Sequence, residues 1–487
     1  MKVLIYVEPH PIRGSFTHHG WVGHAFAKMI RDDLISAENR AASDSDCRIL
    51  VTRHQSYELL QDYPELIGSF IGLTPAEDEH IESLLGPWDA AHIERWKDLM
   101  AGVGPEADFY RGILERVRST VFEFDTIAYW GTNATVRQFA QERDVLPVSM
   151  ELGPTRSPLI ETISFDPQGV NGDAISQQSN LDSVPSMSLE TIAQNLGVRG
   201  LGTISHAIGE PLESTHLHQM DEQAGSNVLI PMQLDDDSNI LMHSDYSSML
   251  ELLEEVVPKL TQAGYTCFVK PHPGATHQSV NQRSHRDCQR FASKTAGCYW
   301  LGDVSENRHY LSLLQKMDMV VTNNSSVGFE AMLLGKVVVP LGRACYTIDG
   351  LHPTLGSILE HTFDPLRYRK QLERGLNLLL LHYLVPRSRA FHMHSFAAQL
   401  ERLEAINERP TSNPTRALLA HPSASLDDYA LPSGRRDMPP QPQAPKARLA
   451  DRVRINTTLL RHSPRLFRQK LTSSLRQRLS RLYEVVS

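Results

Sequence analysis

The chain has 487 residues, 41% of them hydrophobic and 22% charged, with a formal net charge of −9 at pH 7. That length suits two or three domains with sizeable cores, and the composition is that of a globular protein and not of a disordered or fibrous one. Five scattered cysteines with no CxxC or Cys/His ligand spacing argue against a disulfide framework or a zinc site, and no apolar run reaches the roughly 18 residues that cross a bilayer.

The first ten residues, MKVLIYVEPH, are too short in their apolar run for a signal peptide and read as a buried-type strand over 3–7. A turn-rich loop over 8–23 follows, carrying His10, Arg13, Ser15, His18 and His19. A helix over 24–34 and a strand over 48–52 complete a βαβ pattern. Loops after such strands carry the ligands in open α/β sheets. Arg13 and His18 are therefore candidates for substrate binding, against the reading of a solvated polar loop.

Residues 54–122 read as mostly helical with acidic runs. A strand over 126–130, closed by Gly131, leads through a helix over 134–142 to a strand over 147–152. The last strand ends in Glu151-Leu152-Gly153-Pro154-Thr155-Arg156-Ser157. A carboxylate and an arginine at the carboxyl end of a strand are placed as an active site in this architecture. The alternative is a structural ion pair between Glu151 and Arg156. Residues 166–172 form a turn cluster. Residues 173–226 are polar and weakly periodic, with one helix near 189–196, and read as a passage between domains.

A second α/β domain opens with a strand over 227–233 that runs into Asp235-Asp236-Asp237-Ser238. Three adjacent acids repel one another in a dry core, so some of them face a cleft, a cation or water. An amphipathic helix over 248–263 and a strand over 266–270 end in Lys270-Pro271-His272-Pro273, where the prolines fix the backbone around the histidine. A helix over 282–294, a strand over 298–301 and a helix over 310–316 precede residues 319–336. In MVVTNNSSVGFEAMLLGK a short apolar strand enters a polar turn and then a helix closed by Gly335. Asn and Ser are preferred helix caps, and a capped helix start presents free N–H groups and the positive dipole end to an anion. Asn324, Ser325 and Ser326 form a candidate phosphate cradle, and Glu330 stands one turn further on, as a ribose-binding carboxylate would. An ordinary capped βα turn is the plain alternative. A strand over 337–341 and a Gly-punctuated loop follow, and residues 365–407 read as helical.

Residues 408–446 contain eight prolines and almost no periodicity, the signature of a linker or of disorder. Residues 446–487 hold eleven basic and two acidic residues, so a +9 tail follows a body of −18. Leucines and Phe467 interleave with arginines from residue 448 on. Such a segment lies on an anionic membrane surface or packs on a protein partner. No base-reading motif accompanies it, so nucleic acid is not expected as a partner.

Four stretches taken in order, ELGPTRSP, QLDDDS, VKPHP and TNNSSVGFEAMLLGK, resemble the capsule-polysaccharide transferases of the KpsC/KpsS type. They also resemble the related retaining β-Kdo transferases of the WbbB O-antigen type. The resemblance covers roughly residues 1–400. It departs at Asn239, where capsule members often have Gln, and at Thr322, where Ser is expected. Neither change removes a chemical group the reading relies on.

The resemblance implies an α/β protein of GT-B fold, with two Rossmann-like domains facing a cleft. Its parts are an acceptor-side domain (1–205), a nucleotide-sugar domain (226–375), closing helices (376–407), a Pro-rich linker (408–446) and a basic amphipathic tail (447–487). It implies transfer of Kdo from CMP-β-Kdo to a cell-surface polysaccharide or lipid-linked glycolipid acceptor, at the inner face of the cytoplasmic membrane. No cofactor or metal is expected. Retention of configuration is most simply reached by two displacements. Asp237 is the expected nucleophile, Glu151 the base, and His272 the stabiliser of the departing phosphate. Gln233, Ser238 and Lys270 join the Asn324–Ser326 turn and Glu330 on the donor side. Arg13, His18, Arg156 and Ser157 line the acceptor side. Two alternatives stand: another GT-B enzyme (inverting and sialyltransferase-like, or a nucleotide-sugar epimerase), or a non-catalytic, membrane-anchored polysaccharide assembly protein.

Overall fold

The computed structural model describes residues 1–37, 46–156, 159–195, 226–275, 278–302, 313–407 and 413–429. Its strands fall into two sheets. The first holds β1 (Lys2–Tyr6), β2 (Asp46–Val51), β3 (Phe70–Gly72), β4 (Thr126–Trp130), β5 (Leu146–Leu152) and β6 (Thr162–Asp166). The second holds β7 (Asn227–Pro231), β8 (Thr266–Lys270), β9 (Cys298–Trp300), β10 (Met319–Thr322) and β11 (Val337–Pro340). A last short strand, β12 (Leu384–Pro386), returns to the first sheet.

Strands β1, β4, β7 and β8 are almost continuous apolar runs because helices cover both faces of a parallel sheet. In the first sheet β3, β2, β1, β4 and β5 are neighbours in that order and parallel. The second sheet repeats the arrangement as β9, β8, β7, β10 and β11, again all parallel. This is the Rossmann order twice over, and the chain is of the GT-B type. The order reverses between β1 and β4 and again between β7 and β10. Crevices at the carboxyl ends of those strands are where such sheets bind ligands.

The helices form for legible reasons. Ser248 caps the helix Met249–Gln262, whose apolar stripe of Leu252, Leu253, Val256, Val257 and Leu260 is fully buried against the second sheet. Asn133 caps the helix Ala134–Glu142 through Val136 N at 3.0 Å. The helix Pro365–His382 buries Tyr368, Leu372, Leu376 and Leu379 in a core that also takes Phe329, Val338, Ile163 and Phe396. One continuous core therefore joins the closing helices to both halves.

Three strands among the described residues were not expected from the sequence. β3 interrupts the stretch read as helical. β6 runs antiparallel to β5, pairing Met150 with Phe165. β12 in turn runs antiparallel to β6. One boundary needs correction: residues 413–429, inside the expected linker, are folded. Pro414 occupies the first turn of the helix Pro414–Ala420, where a missing N–H does no harm, and Asn413 caps that helix. Leu418 and Tyr429 are buried, and the Tyr429 hydroxyl donates to Leu380 O at 2.7 Å. The prolines that suggested disorder punctuate a packed segment here. The rest of the expected linker and the basic tail lie outside the described residues.

Candidate active site

The loop after β1 is built from the inside outward. Glu8 is buried, and its carboxylate accepts from His10 N at 3.1 Å and Asn133 Nδ2 at 2.8 Å. Burial pushes its pKa up to about 7 against those hydrogen bonds. Gln55 Nε2 pins the loop by donating to Glu8 O and Phe16 O. Ile12 and Ser15 exchange two backbone hydrogen bonds of 3.0 Å, and the tight turn between them puts Arg13 at a φ of 53°. His18 is exposed and stands edge-on to His19, with ring centroids 4.8 Å apart.

At the neighbouring strand ends, Gly131 takes a φ of 75°, and a Cβ there would lie 3.6 Å from Glu151 Oε2. Glu151 lies at the end of β5 and is partly exposed. Desolvation raises its pKa to about 7, and the nearby charge of Asp237 raises it too. The N–H of Leu152, at 2.7 Å from Oε1, the Arg156 charge and a hydrogen bond from Trp130 act the other way. A carboxylate poised near neutrality suits proton transfer.

The three adjacent acids of the second half divide their work. Asp235 Oδ1 accepts from Met249 N at 2.9 Å, anchoring a helix start. Asp236 is buried and takes a bidentate contact from Arg13, at 2.8 Å from Nε and 2.7 Å from Nη2. Asp237 caps the helix Ser238–His243 through Asn239 N at 2.9 Å, is partly exposed, and faces Glu151 closely enough to perturb it. Among the described residues no three His, Cys, Asp or Glu side chains stand together as a metal donor set.

His272 follows β8 and is partly exposed. Its Nδ1 accepts from Gly274 N at 3.0 Å, which leaves the proton of the neutral ring on Nε2. Burial lowers its pKa, and the Asp237 charge opposes that. Lys270 is buried at the strand end; desolvation lowers its pKa, and Glu330 opposes the shift.

The turn after β10 is held from behind. Gln233 Oε1 accepts from Asn324 N at 2.7 Å, and Asn324 Nδ2 donates to Asn239 O and His243 O. Ser325 caps the helix Ser326–Leu333, and its own carbonyl takes the Tyr346 hydroxyl at 2.5 Å. A Cβ on Gly328 would meet that hydroxyl at 2.5 Å, so the close approach needs glycine. Ser326 and Ser238 are partly exposed at their helix starts.

The carboxyl ends of the two sheets meet. Arg13 reaches Asp236, Thr132 Oγ1 lies 2.9 Å from His243 Nε2, and Arg156 N donates to Glu330 Oε1 at 3.1 Å. Glu330 is thus buried against the first half rather than presented to solvent. The Arg156 side chain turns back onto Gly153 O and Thr155 O instead of forming an ion pair with Glu151. Ser157 lies outside the described residues. Asp236, Trp88, Trp130, His243 and Asn281 were not singled out from the sequence. Within a run of three aspartates nothing in the letters says which one turns inward, and the tryptophans carried no local pattern.

Residues 194–364 match the family model described as capsule polysaccharide biosynthesis protein. Three of the four motifs that resemble the KpsC/KpsS type lie inside that segment, and the resemblance holds. Protein FixF of Sinorhizobium fredii is 28% identical over 193 residues, or 39% of this chain and 42% of that protein. The capsule polysaccharide modification protein LipA of Neisseria meningitidis serogroup A is 28% identical over 296 residues, or 56% of this chain and 39% of LipA. The chain thus matches about two fifths of the length of these curated relatives. Among solved structures, KpsC of Thermosulfurimonas dismutans, described as a beta Kdo 2,7 transferase, is similar at 17% identity and a TM-score of 0.35, over 70% of this chain and 92% of that one.

Proposed function

We propose that this protein is a glycosyltransferase of capsule polysaccharide assembly that moves Kdo from CMP-β-Kdo to a saccharide acceptor with retention of configuration. The observation that carries the reading is the electrostatic coupling of Glu151, from one half, to Asp237, from the other, and of Asp237 to His272, at the carboxyl ends of two Rossmann sheets.

In the first displacement the Asp237 carboxylate attacks the ketosidic carbon, forming a glycosyl ester as the bond to CMP breaks. Asp237 Oδ1 is held by Asn239 N, so Oδ2 is the attacking atom. The departing phosphate keeps the bonding electrons. Nε2–H of His272, Lys270, the Ser326 N–H and the hydroxyls of Ser325 and Ser326, on the turn that Asn324 braces, offset its charge. In the second displacement an acceptor hydroxyl attacks the same carbon from the opposite face. Its proton passes to Glu151, and Asp237 leaves as a carboxylate. CMP-Kdo and an alcohol become a β-Kdo glycoside, CMP and a proton.

Glu330 is the proposed ribose partner, and binding would exchange one donor, Arg156 N–H, for two ribose hydroxyls. Gln233 holds the cradle in shape, while Ser238, His18 and Arg156 border the bound sugars. The work takes place at the inner face of the cytoplasmic membrane on a lipid-linked polysaccharide or glycolipid. No helix among the described residues is long and apolar enough to cross that membrane.

Incubation with CMP-Kdo and synthetic acceptors, with the product read by NMR, tests the proposal. A β-Kdo product supports it. An inverted product points to an inverting GT-B enzyme, and no CMP release with any acceptor points to a non-catalytic assembly protein.

A further inference from the structure

Asp236 is only 3% exposed, yet it collects donors from both halves of the molecule. Arg13 gives Nε at 2.8 Å and Nη2 at 2.7 Å, and Nη2 also reaches Asp236 O at 3.2 Å. Trp88 Nε1 donates at 3.0 Å. Arg13 and Trp88 belong to the first half. Asn281 Nδ2, at 2.8 Å, comes from the helix Ser279–Lys294 of the second. The carboxylate is thus satisfied by four N–H groups, and its negative charge is matched by one guanidinium in fork geometry.

We infer that Asp236 is a positioning residue, a clasp between the halves that holds Asp237 opposite Glu151. The inference rests on the proposed transfer reaction for its kinetic consequence but not for its structural one. Asp236 is covalently next to Asp237, and Asp235 is tied to Met249 N on the other side. The backbone carrying Asp237 is therefore fixed by two buried or part-buried side-chain anchors. The Arg13–Asp236 pair also lies beside the reaction centre, since both charges are felt by His272. Arg13 adopts a left-handed φ of 53°, uncommon for a residue with a Cβ, and such a conformation persists where its surroundings dictate it. Those surroundings are the Ile12–Ser15 backbone pair below and Asp236 across the cleft. A purely structural ion pair could sit anywhere in the interface. This one sits one residue from the group whose position the chemistry needs.

The test compares Arg13→Gln, Arg13→Lys and Asp236→Asn with the wild type by hydrogen exchange without substrate, and then by kinetics. Arg13→Gln is expected to raise exchange at residues 131–133 and 239–243 together by about tenfold, leaving β1 and β8 unchanged. Its kcat is expected to fall about 10- to 100-fold through misplacement of the reacting groups, while the Kd for CMP stays within about twofold. Arg13→Lys should recover part of both effects. Should Asp236→Asn fail to fold, the two Arg13 variants still give the reading. Unchanged exchange at both segments, or altered exchange with unaltered kcat in an active enzyme, overturns the clasp. A wild type inactive on CMP-Kdo overturns the proposed reaction instead and leaves the exchange comparison as the measure of the clasp.

Discussion

At the scale of single residues the proposed transfer turns on Glu151. Its carboxyl is pushed up to about 7 chiefly by desolvation, and Trp130 opposes that by hydrogen-bonding the charged form. A base must be deprotonated to act, so kcat/KM for the acceptor is expected to rise with pH through about 7. Trp130→Phe keeps an aromatic ring, though a smaller one, and removes the N–H. The ionised form loses a stabilising bond, the pKa rises, and the rising limb moves to higher pH. A limb that stays put or moves acidward would show that Trp130 does not set the titration of Glu151. Glu151, Asp237 and His272 could be nominated from the sequence because each ends or closely follows a recognisable strand beside a turn. Asp236 was not, because its orientation follows from Arg13, Trp88 and Asn281, which lie 223, 148 and 45 residues away.

At the scale of elements, the turn between β10 and the helix Ser326–Leu333 is where the donor reading is most exposed to test. Ser325→Ala with Ser326→Ala removes two hydroxyl donors while leaving the backbone N–H groups. Each hydrogen bond to a charged phosphate contributes about 1.5–3 kcal/mol, so CMP binding by calorimetry should weaken accordingly. Unchanged affinity would place the nucleotide elsewhere. The parallel strands were readable because burial on both faces demands unbroken apolar runs, as in Val320-Val321 and Val338-Val339. β3, β6 and β12 were not, since FIG, TISFD and LVP each place at most two apolar side chains in succession, and β12 pairs only because β6 offers an open edge. The helix Pro414–Ala420 was hidden by its own proline, which marks a helix start as readily as a linker. Leu418 in that helix is 1% exposed, and Leu418→Ala is expected to cost about 2–5 kcal/mol in denaturant unfolding. A loss under about 0.5 kcal/mol, the range of surface substitutions, would return this segment to the linker.

At the scale of the whole molecule, an acidic body is followed by a basic segment with interleaved leucines. Near an anionic leaflet each basic side chain contributes about 1 kcal/mol, screened within a Debye length. A truncation that tests this must spare Leu418 and Tyr429, so it removes residues 447–487 and not everything after 407. The truncated protein is expected to keep activity on small soluble acceptors and to stop co-sedimenting with anionic liposomes. Binding that survives the truncation, or that ignores salt in the intact protein, would favour docking on a protein partner. The arrangement of two Rossmann-like halves was legible from repeated strand–loop–helix grammar and from four motifs in order. Their closure on one another was not, because it is made by single long-range pairs such as Arg156 with Glu330. The central claim is that Asp237 attacks the sugar and Glu151 takes the acceptor proton. Its most direct measurement is intact-mass and peptide mapping of Glu151→Gln incubated with CMP-Kdo and acceptor. The account predicts a burst of about one equivalent of CMP and a Kdo ester on Asp237, because the second displacement lacks its base. Full turnover by this variant, or a Kdo adduct on any residue other than Asp237, would contradict it.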